Sequence, residues 1–168
     1  MIYFITGGER SGKSRYAQQL ALELSDQPIY IATSRVLDKD FEKRVQRHKA
    51  DRDERWTSIE EEKQLSKIDL ENRVGVIDCV TLWLTNFYTD TKFDVEESLK
   101  QAKEEFDKLE QVDCTLIIIS NELGMGVHAQ TEMGRKFVEL QGWMNQQIAA
   151  KANKVILMVS GIPVTIKG

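Results

Sequence analysis

The sequence predicts an α/β fold, a mainly parallel sheet that ends in an antiparallel C-terminal edge strand. Short apolar, β-branched runs alternate along the chain with longer amphipathic stretches, the pattern of strands joined by right-handed helical crossovers. The four better-defined runs are apolar almost throughout, as parallel strands covered on both faces must be. The first of them leads into the glycine-bearing stretch "GGERSGKS" and then into the helix-like "RYAQQLALEL".

Taken in order, "IYFIT" makes a strand near 2–6, and the segment after the glycines a helix near 12–24. Further strands are expected near 28–33, 74–78, 114–119 and 154–159, with helices near 39–51, 94–110 and 130–152. "SGIP", residues 160–163, is turn-length, so a short last strand near 162–166 folds back beside its predecessor. The charged stretch from Asp38 to Lys67 is the least strand-like part and reads as a helical excursion from the sheet, at about 38–67.

With 168 residues, 41% of them hydrophobic and 30% charged, the chain is expected to form one domain, residues 1–168, around one core. Its 23 basic and 27 acidic residues give a net charge of −4, which argues against a broad nucleic-acid footprint. Cys79 and Cys114 sit at the edges of apolar runs without a CxxC partner, and read as buried reduced thiols. The chain opens directly on a strand, with no signal peptide visible. Runs such as "VILMVSGI" are too short to span a bilayer. A soluble, cytoplasmic domain is the expectation.

The spacing Gly7-x-x-x-x-Gly12-Lys13-Ser14 is that of a loop that cradles phosphate. Its glycines let successive backbone N–H groups turn toward phosphate oxygens, and the helix that follows adds its positive N-terminal end. Lys13 can reach the β- and γ-phosphates, and Ser14 can offer its hydroxyl to Mg²⁺. A carboxylate partner for that metal belongs at the end of another buried strand, where "RVGVIDC" supplies Asp78. The alternative for Asp78 is a helix-capping role before "CVTLWLTN".

Within the excursion, "RVQRHKADR" spaces Arg44, His48 and Arg52 at i, i+4 and i+8, one face of a helix. A neutral imidazole is a nucleophile toward phosphorus. Guanidinium groups a turn away on either side suit phosphoryl oxyanions and disfavour the imidazolium form. The same spacing is equally that of a surface histidine on a basic helix. After the run "TLIIIS", the loop "NELGMGVHAQ" lies at the carboxyl end of an expected parallel strand, where α/β sheets bind ligands. Glu122, Gly124 and Gly126 are its candidate substrate contacts, and His128 reads as a loop residue.

Together, "TGGERSGKS", "YIATS", "RVQRHKADR" with "WTSIE", "DCVTLWLTN", "SNELGMG", "NQQIAAKA" and "VSGIPVTIK" resemble the bifunctional adenosylcobinamide kinase/adenosylcobinamide-phosphate guanylyltransferase family of cobalamin assembly, over nearly the whole chain. The resemblance implies a three-layer, RecA-like P-loop NTPase fold and a homotrimer. It implies phosphorylation of adenosylcobinamide with ATP or GTP. It also implies GMP transfer from GTP to adenosylcobinamide phosphate through a GMP–histidine intermediate, the matching histidine being His48. Nucleotide contacts then fall on Gly8, Glu9, Arg10, Ser11, Gly12, Lys13, Ser14, Arg15, Ala32, Thr33, Ser34, Arg44, Lys49, Ala50, Asp51, Arg52, Glu60 and Asp78. Of these, Ser14 and Asp78 serve Mg²⁺, and Lys13 acts with His48 in catalysis. The chain departs from the family pattern at Asp53, in "GMGVHAQ" and at Trp143. On the residues alone, a phosphate-loop kinase without the histidine step and a nucleotide-switched binding module stay open.

Overall fold

A computed structural model describes residues 1–35 and 52–168. Its centre is a seven-stranded sheet in the order β3-β2-β4-β5-β1-β6-β7. The strands are β1 (Ile2–Gly7), β2 (Ile29–Ala32), β3 (Thr57–Glu60), β4 (Val74–Asp78), β5 (Thr115–Asn121), β6 (Lys154–Val159) and β7 (Ile162–Lys167). The pairs from β3 across to β6 are parallel, and β7 returns antiparallel along β6. The turn between β6 and β7 places Ser160 and Gly161 at φ 50 and 85.

Alternation along the strands feeds two cores. Ile2, Phe4, Ile29, Ile31, Ile77, Leu116 and Ile118 point to one face, and Tyr3, Ile5, Tyr30, Val76, Ile117 and Ile119 to the other. That second face is covered by α1 (Lys13–Leu24) through Ala17 and Ala21. The first is covered by α2 (Val80–Asp90), α3 (Val95–Glu110) and α4 (Glu132–Lys151). Helices on both faces make three layers, the P-loop arrangement expected from the sequence.

Local chemistry starts the helices where they are needed. The Asp94 side chain accepts from the Glu97 N–H at 2.9 Å and Thr131 from the Gly134 N–H at 3.0 Å, both N-caps. By contrast α1 starts from Gly12 with no side-chain cap, which leaves its first N–H groups to the loop and its ligand.

Two elements differ from the sequence expectation. The described part of the charged stretch, 52–67, contains no α-helix: Thr57–Glu60 is an edge strand and Leu65–Lys67 a single 3₁₀ turn. β3 is mostly exposed and holds one apolar residue, Ile59; pairing with β2, and not local pattern, makes it a strand. The second difference is α2. No helix near 80–90 stood among those expected, although the capping alternative for Asp78 allowed one; Val80, Trp83, Leu84, Phe87 and Tyr88 are all buried on it. The helix expected near 39–51 lies outside the described residues. No helix among the described residues is long and apolar enough to cross a membrane.

Candidate active site

The carboxyl ends of the parallel strands collect the chemistry. Across three adjacent strands, Glu60, Ala32 and Asp78 stand in register, so residues far apart in sequence share one rim. On the far side of β5 from Asp78, Gly7 ends β1 in register with Asn121 and Met158. The phosphate loop rises from there. A Cβ on Gly7 would lie 2.6 Å from the Met158 carbonyl oxygen and 2.8 Å from Ser11 Oγ, so only glycine lets the chain turn so close to β6. Gly12, at φ 95, hands the loop to α1.

Lys13 is 7% exposed; its Nζ donates to the Gly8 carbonyl at 2.6 Å, folding the ammonium back over the loop. Burial pulls its pKa below the ordinary lysine value, outweighing the opposing pull of Cys79, Asp78 and Glu9. An ammonium held with so little solvent gains most from an anion brought to it. Ser14 Oγ donates to Asp78 Oδ2 at 2.9 Å. Thus the loop serine and the β4 carboxylate meet, as the sequence reading required. Gly8, Glu9, Arg10 and Arg15 lie exposed around the loop.

Tyr30 was absent from the sequence-derived site. Its hydroxyl donates to the same Asp78 oxygen at 2.6 Å. Burial, then the Asp78 charge and this hydrogen bond, drive the phenol pKa far up, so Tyr30 is a neutral donor. Over its ring lies the Arg52 guanidinium, 3.8 Å from the centroid. Arg52 Nε and Nη1 are buried with no hydrogen-bond partner among the described residues, two donors of the kind that take a phosphate. Trp56 meets the other edge of Tyr30, with ring centroids 6.1 Å apart. In an apolar strand a tyrosine reads as core; only its hydroxyl, aimed at a strand-end carboxylate, marks it as more.

Other candidates are placed less simply. Thr33 is fully buried, and its hydroxyl is spent on the backbone of Cys79: it donates to the carbonyl at 2.8 Å and accepts from the N–H at 2.9 Å. It therefore joins β2 to the start of α2. Cys79 is free and buried, as expected, and burial pushes its thiol up to about 12, which makes it unreactive. Ser34 is half-buried beyond β2. Glu122 accepts from the Gly124 N–H at 2.7 Å, and its own N–H reaches the Gly7 carbonyl at 2.9 Å. It thus fixes its loop against the phosphate loop. Gly126 and His128 are exposed there. Beneath, Gln141 Nε2 donates to the Asn121 carbonyl at 2.6 Å and to Thr81 Oγ1 at 2.8 Å, which ties that strand end to α2 and α4. Arg44, His48, Lys49, Ala50 and Asp51 lie outside the described residues.

The donor set fits magnesium. Both described side-chain hydrogen bonds to Asp78 fall on Oδ2, which leaves its second oxygen for a cation. Mg²⁺ takes one or two protein oxygens and completes its shell with substrate phosphates and water. Among the described residues no group of three or more His, Cys, Asp and Glu side chains could hold a metal by itself, and such a shell does not require one.

A glycine-rich loop between the first strand and first helix, with a serine hydroxyl bonded to a strand-end aspartate, defines a P-loop nucleotide-binding α/β protein. The sequence profile of the family described as cobinamide kinase / cobinamide phosphate guanyltransferase matches residues 3–166. The bifunctional adenosylcobalamin biosynthesis protein CobU of Escherichia coli is 36% identical, covering 99% of this chain and 100% of its own length. CobP of Pseudomonas aeruginosa, described in the same words, is 36% identical over 98% of this chain and 96% of its own. The chain belongs to the cobinamide kinase / cobinamide phosphate guanyltransferase family. A solved structure from Pyrococcus horikoshii, 10% identical with a TM-score of 0.51, covers 99% of this chain and 86% of its own, and shares the fold alone.

Proposed function

We propose that this enzyme performs two transfers at one nucleotide site. In the first, ATP or GTP phosphorylates the terminal hydroxyl of adenosylcobinamide. In the second, GMP passes from GTP to adenosylcobinamide phosphate, giving adenosylcobinamide-GDP. The observation that carries the reading is the contact of Ser14 with Asp78 beside Lys13, in a chain matched to the family from residue 3 to 166.

For the kinase step, the loop N–H groups and Lys13 hold the β- and γ-phosphates while the acceptor hydroxyl attacks the γ-phosphorus. For the second step, an imidazole nitrogen of His48 attacks the α-phosphorus of GTP. A phosphorus–nitrogen bond forms, the bond to the β-phosphate oxygen breaks, and pyrophosphate leaves along the loop. A phosphate oxygen of the acceptor then attacks the same phosphorus and releases the imidazole. Arg52, with Arg44, neutralises charge on the α-phosphate. A magnesium ion held by Asp78, Ser14 and the nucleotide would neutralise the phosphate oxygens. Glu122, Gly124 and Gly126 face the acceptor. The reading carries a homotrimer and a cytoplasmic location with it, checked by light scattering and cell fractionation.

Incubation with α-labelled GTP tests it. The expected result is protein-bound label that is acid-labile and alkali-stable, absent from His48→Ala, and discharged by adenosylcobinamide phosphate. Active protein without such label, or label persisting in His48→Ala, overturns the histidine step and leaves a kinase alone.

A further inference from the structure

Tyr30 lies outside the phosphate loop, yet it touches three parts of the site. Its hydroxyl bonds Asp78 Oδ2, the oxygen that also accepts from Ser14. Its ring carries the Arg52 guanidinium on one side and meets the edge of Trp56 on another. The side chain is 4% exposed, so none of these contacts is diluted by solvent.

Two features make this more than packing. A carboxylate bound by two donors on one oxygen has lost its freedom to rotate, and its other oxygen is presented in a fixed direction. Partners behind a metal ligand set its orientation in this way, and losing them typically weakens metal affinity by about 10–100-fold. A guanidinium stacked on an aromatic face is held by its plane, while its N–H donors stay free at the edge. Arg52 shows that state: Nε and Nη1 are buried and, among the described residues, unpartnered. One tyrosine therefore contacts both an anionic group bonded to Ser14 and a cationic group with unpartnered donors.

We propose that Tyr30 is a positioning residue that sets Asp78 for nucleotide-bound magnesium through its hydroxyl and Arg52 for the nucleotide phosphates through its ring. The proposal rests on the nucleotide site assigned above. It separates the two functions of one side chain, because phenylalanine keeps the ring and loses the hydroxyl.

Binding of a fluorescent N-methylanthraniloyl GTP, measured in EDTA and again in saturating Mg²⁺, tests it without turnover. Tyr30→Phe is expected to bind in EDTA as the wild type does, within about twofold. Its affinity gain on adding Mg²⁺ should shrink roughly tenfold or more. Tyr30→Leu should lose both, matching Arg52→Ala in EDTA, and Arg52→Ala should add nothing in the Tyr30→Leu background. An unchanged Mg²⁺ gain in Tyr30→Phe overturns the hydroxyl's role. Wild-type affinity of Tyr30→Leu in EDTA overturns the ring's. If Tyr30→Leu fails to fold, additivity of Tyr30→Phe and Arg52→Ala decides, since the proposal expects Tyr30→Phe to leave the EDTA effect of Arg52→Ala unchanged and any other result overturns it. A wild type that binds no nucleotide sinks the functional reading and this proposal together, whereas a binding wild type with unaffected variants sinks this proposal alone.

Discussion

Gly161, in the turn between β6 and β7, donates its N–H to the Ser11 carbonyl in the phosphate loop at 2.9 Å. Gly12 lies against the same turn, where a Cβ would stand 3.3 Å from the Gly161 Cα. The antiparallel hairpin is thus a buttress for the loop. Gly12→Ala meets both a positive φ and this contact, and should cost about 1–3 kcal/mol. Urea unfolding reads the loss, and nucleotide affinity should fall with it; unaltered stability would mean that the loop tolerates a side chain there.

Lys13 sets function against stability. Its ammonium is buried and its pKa lowered, so the folded state disfavours the charge that the phosphates need. Lys13→Met should leave the unliganded melting temperature unchanged or raised. Turnover should fall on the order of a hundred-fold or more, the scale for losing one preorganised charge-stabilising donor. Calorimetry paired with the labelled-nucleotide assay checks both halves.

Arg35, just beyond β2, pairs with Glu62 at 2.5 Å and Asp90 at 2.6 Å, and Lys63 pairs with Asp90 at 2.8 Å. Hydrogen bonds from Arg35 and then Lys63 hold the Asp90 pKa far below its ordinary 3.8. A lowered carboxyl pKa stabilises the fold fully above the unfolded value, and the gain fades as pH falls from there through the folded value. Asp90 is about a third exposed, so its worth is about 1 kcal/mol or less. The melting-temperature gap between wild type and Asp90→Asn should be constant above pH 5 and narrow below pH 4; a gap independent of pH would rule out the charge as its source.

Trp83 is 2% exposed in the larger core, and its Nε1 donates to the Lys63 carbonyl at 3.0 Å. Trp83→Ala should cost about 3–5 kcal/mol, read by chemical denaturation. A loss under 1 kcal/mol would show that the cluster collapses around the gap.

The strands of the central sheet and the phosphate loop were legible because both are local: apolar runs and a fixed glycine spacing. α2 was legible but entered only through the capping alternative for Asp78. Its buried Val80, Trp83, Leu84, Phe87 and Tyr88 repeat at i, i+3, i+4, i+7 and i+8, a helical stripe disguised by β-branched and aromatic residues. β3 was not legible, since "TSIE" becomes a strand only by pairing with β2. In the site, Ser14 and Asp78 followed from motif logic. Tyr30 did not, because its role depends on adjacent strands bringing residues 48 positions apart within 2.6 Å. The buried donors of Arg52 likewise exist only in three dimensions.

The order of the sheet places β5 between β4, which ends in Asp78, and β1, which ends in the phosphate loop. Two interstrand spacings of about 4.8 Å therefore separate the ends of these two strands, a span set by backbone ladders, which Ser14 crosses to reach Asp78. It works as a gauge block: substitutions on the rim can change which group is received, but not the width of the jaw that receives it. Any accommodation between a γ-phosphorus and an α-phosphorus reaction must then come from loops above the sheet, over a floor of constant breadth.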